Sequence, residues 1–159
     1  MIIYCDMDMV LCNFLKGALD VTGEPFPDKT GKLSKDEKKA IISSKKDFWD
    51  TLEWMPDGKK LWAHITKGGA DVRILSAFAE WDSNCKRGKR IWIARNLKPK
   101  PSKIHLVRRE QKKDYANDDA LLIDDHDKNC KEFINAGGKA IRHINTCLLY
   151  TSDAADDQL

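Results

Sequence analysis

Two aspartates, Asp6 and Asp8, stand where an apolar run should be ending, in IIYCDMDMVLCNF from Ile2. Far along the chain Asp124 and Asp125 follow another apolar run, in LLIDDHD. Between them come Ser76, in RILSAF, and Lys112 and Lys113, in REQKKDYA. Taken singly, each has an ordinary explanation: a charged turn, a strand-end hydroxyl, a solvated lysine. Together they have the makings of metal-assisted phosphoryl transfer. Clustered carboxylates repel and persist where a cation neutralises them. With no Cys/His ligand set, a hard, oxygen-seeking ion such as Mg²⁺ fits. A carboxylate can attack phosphorus to give an aspartyl-phosphate. A second acid two residues along an extended backbone points to the other side. It can protonate the leaving oxygen and later activate water. A serine and a lysine suit the remaining phosphoryl oxygens.

Such residues converge only if the chain places them at one edge of a sheet. Short runs rich in Ile, Val and Leu recur at Ile2–Cys5, Val72–Leu75, Ile104–Val107, Ala120–Ile123 and Ala140–Ile144, as in strands covered on both faces. Helical stretches alternate with them. One is capped by Asp82/Ser83 and runs to about Asn96. Another runs from Asp127 through Cys130, Phe133 and Ile134 to a stop at Gly137-Gly138. Alternation predicts a parallel sheet in an α/β layered fold, in which ligands bind at the carboxyl ends of the strands. Asp6, Asp8, Ser76, Asp124 and Asp125 all follow strand ends. Residues 15–66 are too long for a simple crossover. With turns at GEPFPDKTGK and MPDG, they read as a small, mostly helical cap over that edge.

The order D-x-D, S after a strand, K, then D-D after a strand resembles the haloacid dehalogenase (HAD) superfamily. Within it the chain is similar to 5′(3′)-deoxyribonucleotidases of the short phage and bacterial type. DMDMVLCNF resembles that family's opening, FWDTLEWMPDGKKLW its aromatic cap segment, and KKDYANDDALLIDDHDKNCKEFINAGGKAIRHINT its closing half. The similarity covers residues 1 to about 146. It implies a Rossmann-like three-layer α/β/α sandwich with parallel strands ordered 3-2-1-4-5 and a small helical cap. It also implies Mg²⁺-dependent hydrolysis of (deoxy)nucleoside monophosphates. Asp6 would be the nucleophile and Asp8 the general acid/base, with its backbone carbonyl on the metal. Ser76 and Lys112 (rather than Lys113) would hold phosphate. Asp124 and Asp125 would complete the metal site, with Asp125 preferred as direct ligand. Phe14, Phe48 and Trp49 would wall the nucleoside pocket. Two departures stand out: Met9 replaces the family's usual glycine, and the tail after Thr146 lacks its usual last segment.

The rest of the sequence sets bounds. The 159 residues suit a single domain over 1–147, with an atypical tail at 148–159. Apolar and charged fractions of 42% and 33% are those of a globular chain, and neither a membrane span nor a signal peptide is legible. Five scattered cysteines predict free thiols in a reducing cytoplasm, the host's if the gene is a phage's. A net charge of +3 suits a small phosphate-bearing substrate and is too weak to establish nucleic acid as a partner. The resemblance allows a homodimer. The Lys86–Arg90 cluster reads as a solvated helix face, and Trp54, Trp62, Trp81 and Trp92 as packing residues. Two other functions fit the same residues: a phosphatase for nucleic-acid ends or another small phosphate ester, and a catalytically silent nucleotide-binding module.

Overall fold

In the computed structural model, residues 1–26, 31–97 and 103–144 are described. Five parallel strands, β1 (Ile2–Cys5), β2 (Asp71–Ala77), β3 (Ile104–Val107), β4 (Ala120–Asp124) and β5 (Lys139–Arg142), form one sheet in the order β3-β2-β1-β4-β5. The expected order is thus observed. β2 extends beyond the apolar run read from sequence. β5 starts and stops earlier than its run, ending at Arg142; His143 N then donates to the Asp124 carbonyl at 2.8 Å.

Alternation along the strands builds two cores. Ile3, Cys5 and Ile74 face a large cluster that holds Trp92 and Ile93 of helix α4 (Cys85–Asn96) and Trp62 and Ile65 of α3 (Gly58–Thr66). Tyr4, Leu75 and Leu122 face the opposite side, where Phe133 of α5 (Asp127–Asn135) covers them. The result is helices on both faces of a parallel sheet. Trp92, at 1% exposed, is the packing residue expected. No helix among the described residues is long and apolar enough to cross a membrane. Cys5, Cys12, Cys85 and Cys130 are buried free thiols.

Between β1 and β2 the chain forms α1 (Phe14–Thr22), α2 (Lys35–Ser43), a 3-10 turn (Trp49–Thr51) and α3. Each start has a local cause. The Asn13 side chain accepts from Lys16 N, and Ser34 and Glu37 form a reciprocal capping box on α2. The MPDG turn closes through Gly58 N to the Met55 carbonyl at 2.9 Å. The GEPFPDKTGK turn lies partly, and the 148–159 tail wholly, outside the described residues. Gly88 lets α4 pack directly on the 3-10 turn, since a Cβ there would meet Trp49 Cβ at 2.5 Å.

The expected Asp82/Ser83 cap of α4 is not formed. Asn84 takes the cap position without a side-chain bond. The Asp82 carboxylate instead accepts from Asn84 N (2.9 Å) and from Trp49 Nε1 (2.7 Å). A buried indole N–H needs an acceptor, and that need outweighs the cap.

Met9 shows why its position favours glycine. Val10, Leu11 and Cys12 all donate to the Met7 carbonyl, and Met9 N donates to Cys12 O at 2.7 Å. This tight turn holds Met9 at φ 63°. A left-handed conformation costs a non-glycine residue about 1–2 kcal/mol, offset by the extra freedom glycine has when unfolded, about 0.5–1 kcal/mol. Met9→Gly is therefore expected to raise stability by roughly 0.5–1 kcal/mol, read as a higher urea midpoint at unchanged slope. A loss above about 1 kcal/mol would instead mean that the thioether's packing dominates.

Candidate active site

Sheet register brings the acids together. Cys5 pairs with Ile123, so the next residues, Asp6 and Asp124, leave adjacent strands side by side; Asp6 N donates to the Ile123 carbonyl at 2.9 Å. Carboxylate oxygens of Asp6, Asp124 and Asp125 lie within 4.8 Å of one another. Lys112, on the 3-10 helix Arg109–Tyr115 that follows β3, reaches into this group. Its Nζ donates to Asp6 Oδ1 at 3.0 Å and Asp124 Oδ2 at 2.7 Å. Lys112 is 3% exposed while Lys113 faces solvent, so the geometry favours the lysine preferred from sequence. Asp124 is also held by His126 N on Oδ1 (2.9 Å) and by Asn129 Nδ2 on Oδ2 (3.2 Å). Asn129 is in turn bonded by Arg109.

Three carboxylates against one ammonium leave an excess of negative charge in a buried place. Burial first, then the Asp124 charge, hold Asp6 well above the usual carboxylate range, with Lys112 opposing. The same two causes push Asp125 up to about 6. Burial alone would lower Lys112, but Asp6 and Asp124 outweigh it and raise it. A hard divalent cation fits this donor set: all ligands are oxygens, and the charge it would offset is the one that disfavours ionised Asp6.

A stability test follows from the sign of these shifts. Asp125 binds its proton more tightly folded than unfolded, so stability without cation falls as pH rises from about 4 to about 6 and is fully reduced above that. In EDTA, wild type should lose stability relative to Asp125→Asn across this window, as read by urea unfolding. A difference that stays flat with pH would contradict the shift.

Asp8 lies on the far side of the turn and adds no carboxylate to the cluster. Its Oδ2 accepts from Lys89 Nζ at 3.1 Å, while Oδ1 is buried without a partner. Lys89 also donates to Ser76 Oγ (2.8 Å) and the Ala77 carbonyl (2.7 Å), and it is 1% exposed. The Lys86–Arg90 stretch is therefore not a uniform solvated face. Lys89 falls on the line Cys85, Gly88, Lys89, Trp92, Ile93, all buried, and that helical spacing was a readable signal. Ser76 is fully buried and tied to Lys89.

A cavity of about 330 Å³ opens on Asp8. Phe14 and Trp49 line it, stacked at 5.4 Å and 22°. Phe48 does not: it is 4% exposed and packs edge-on behind Trp49 at 5.1 Å. Trp81, read as a packing residue, lines the cavity, as do Phe26 and Phe78. The Asp82 bond to the Trp49 indole fixes one wall.

No protein-family profile matches the sequence, and no curated protein matches it. Solved structures do match by shape. L-2-haloacid dehalogenase from Xanthobacter autotrophicus superposes with a TM-score of 0.60 at 10% identity, over 94% of this chain and 80% of that one. The HAD-hydrolase YfnB from Bacillus subtilis, bound to magnesium, gives 0.57 at 11% identity, over 94% and 97%. A HAD family enzyme from Bacteroides thetaiotaomicron, in complex with magnesium and inorganic phosphate, gives 0.52 at 13%, over 91% and 94%. The chain therefore has the HAD-type α/β fold.

Proposed function

We propose that this protein is a Mg²⁺-dependent phosphomonoesterase acting on nucleoside or deoxynucleoside monophosphates. The observation that carries the reading is the division of labour at the end of β1. Asp6 sits among carboxylates that could hold a cation, while Asp8, two residues on, faces an aromatic cavity with one carboxylate oxygen unpartnered. The magnesium-bound neighbours support it.

Asp6, Asp124 and Asp125 would hold the ion, whose charge lowers the cost of ionising Asp6 and offsets that of a phosphate oxygen. An Asp6 oxygen then attacks phosphorus. The new O–P bond forms as the ester P–O bond breaks, and Asp8 gives its proton to the departing alcohol oxygen. In the second half Asp8 takes a proton from water, the water oxygen attacks phosphorus, and the Asp6–phosphorus bond breaks to release phosphate. Lys112 orients Asp6 and adds positive charge for the phosphoryl oxygens. Lys89 holds Asp8 in place through its bond to Oδ2. Phe14, Trp49 and Trp81 offer flat apolar faces to a base, which suits stacking with little base preference.

The test is phosphate release from a panel of 5′- and 3′-(deoxy)nucleoside monophosphates, with Mg²⁺ or with EDTA. Release that requires Mg²⁺ on at least one nucleotide is the expected result. A folded protein that releases none would overturn the reading.

A further inference from the structure

The cavity beside Asp8 has a basic edge that hydrolysis of a monophosphate does not use. Lys35 and Lys39 of α2 line it together with the aromatic residues. They are four residues apart, so they share a helix face about 6 Å apart along the axis. Lys38, between them, turns away and donates to the Pro25 carbonyl. Lys39 Nζ lies 5.7 Å from the centre of the Trp81 ring, and Trp81 packs on Trp49 at 6.0 Å. Lys86 Nζ adds a third charge 4.1 Å above Phe78, another cavity wall. Among the described residues neither Lys35 nor Lys39 has an ion-pair partner within 4.0 Å. Among the described residues, the only acid lining the cavity is Asp8, already paired with Lys89. Two ammonium groups in one cavity with aromatic walls suit an anion: lysine binds phosphate as a point charge, and low-dielectric walls strengthen the field.

We infer that Lys35 and Lys39 form a second anion subsite. The preferred substrate then carries a further phosphate on its leaving group, as in a nucleoside 3′,5′-bisphosphate or the terminal nucleotide of an oligonucleotide. The scissile phosphate meets Asp6, the base lies against the aromatic walls, and the second phosphate meets the α2 lysines. This assignment rests on the phosphatase reading for its scissile end.

The experiment compares kcat/KM for a nucleoside 5′-monophosphate, the matching 3′,5′-bisphosphate and a 5′-phosphorylated dinucleotide. It uses the full chain with Mg²⁺, as wild type, Lys35→Gln/Lys39→Gln and Lys35→Arg/Lys39→Arg. Wild type should favour the bisphosphate over the monophosphate by about tenfold at low salt, a preference that shrinks as salt rises. The glutamine pair should bring that ratio close to one, and the arginine pair should keep it. Lysine dependence shared by the dinucleotide assigns the subsite to nucleic-acid ends; its restriction to the bisphosphate assigns it to free nucleotides. A ratio that the glutamine pair leaves unchanged, or no wild-type preference, overturns the subsite. Tryptophan fluorescence of Asp6→Asn, which keeps Trp49 and Trp81 in the wall, reads bisphosphate binding without turnover. Lysine-dependent binding by a protein that hydrolyses nothing would sink the phosphatase reading and leave the subsite standing. Hydrolysis with neither rate ratio nor binding dependent on the lysines would do the reverse.

Discussion

Asp6→Asn should abolish phosphate release, by at least about 10⁴-fold in kcat, while the protein stays folded. The amide keeps the shape of the side chain and removes the carboxylate proposed as nucleophile. Register alone places residue 6 beside Asp124, so the exchange does not disturb how the site is assembled. It also removes one of three clustered charges, so repulsion with Asp124 and Asp125 is relieved as the bond from Lys112 is weakened. Circular dichroism and the urea midpoint report folding, and single-turnover phosphate release reports chemistry. Activity above about one per cent of wild type would mean that Asp6 is not the nucleophile. A direct attack by water, with Asp8 as base, would then take its place.

The second large effect is on stability. Lys112→Met replaces a buried ammonium with a neutral chain of similar length and leaves Asp6 and Asp124 without their shared cation. Removing one member of a buried charge group typically costs about 3–5 kcal/mol, because the partners remain buried and unpaired. That loss is expected at pH 7 in EDTA. It should shrink at pH 5, where Asp125, pushed up to about 6, takes up a proton and relieves the repulsion among the carboxylates. Mg²⁺ should restore part of it, because an ion that binds only the folded site stabilises by mass action, about 2.7 kcal/mol at one hundred times its dissociation constant. Urea unfolding at the two pH values, with and without Mg²⁺, reads all of this. A deficit indifferent to both variables would show that Lys112 serves packing alone.

Much of this was legible because strand ends in a parallel sheet have few places to go. The apolar runs before Asp6, Ser76 and Asp124 mark the carboxyl ends of β1, β2 and β4, although Ser76 and Asp124 belong to the last residues of their strands rather than following them, and the convergence of acids follows from that topology. Strand limits moved where backbone bonds overrode apolar content: β2 takes in Asp71 at its start, paired with Arg73, and Ser76 and Ala77 at its end. What failed to show was side-chain destination across long separations. Lys89 reaches Asp8 over 81 positions and Trp49 reaches Asp82 over 33. Nothing in a local charge run says that one basic residue of four turns inward, although its place on the apolar stripe of α4 does. The exchange of Phe48 for Trp81 as a cavity wall has the same origin. Both are aromatic residues near the site, and only the packing of the 3-10 turn against α4 decides which ring is covered.

The two aspartates of the opening motif end up in separate ion-paired groups. Asp6 belongs with Lys112, Asp124 and Asp125; Asp8 belongs with Lys89 and Ser76. Two residues of sequence thus separate two ion-paired groups, which under the proposed mechanism would govern, in turn, how phosphorus is attacked and how the leaving group departs. A change confined to Asp8 and Lys89 leaves the Lys112 bonds of the first group in place, while the charge it removes from Asp8 eases ionisation of Asp6. Such a scaffold can exchange leaving groups over its history while keeping one nucleophile in place.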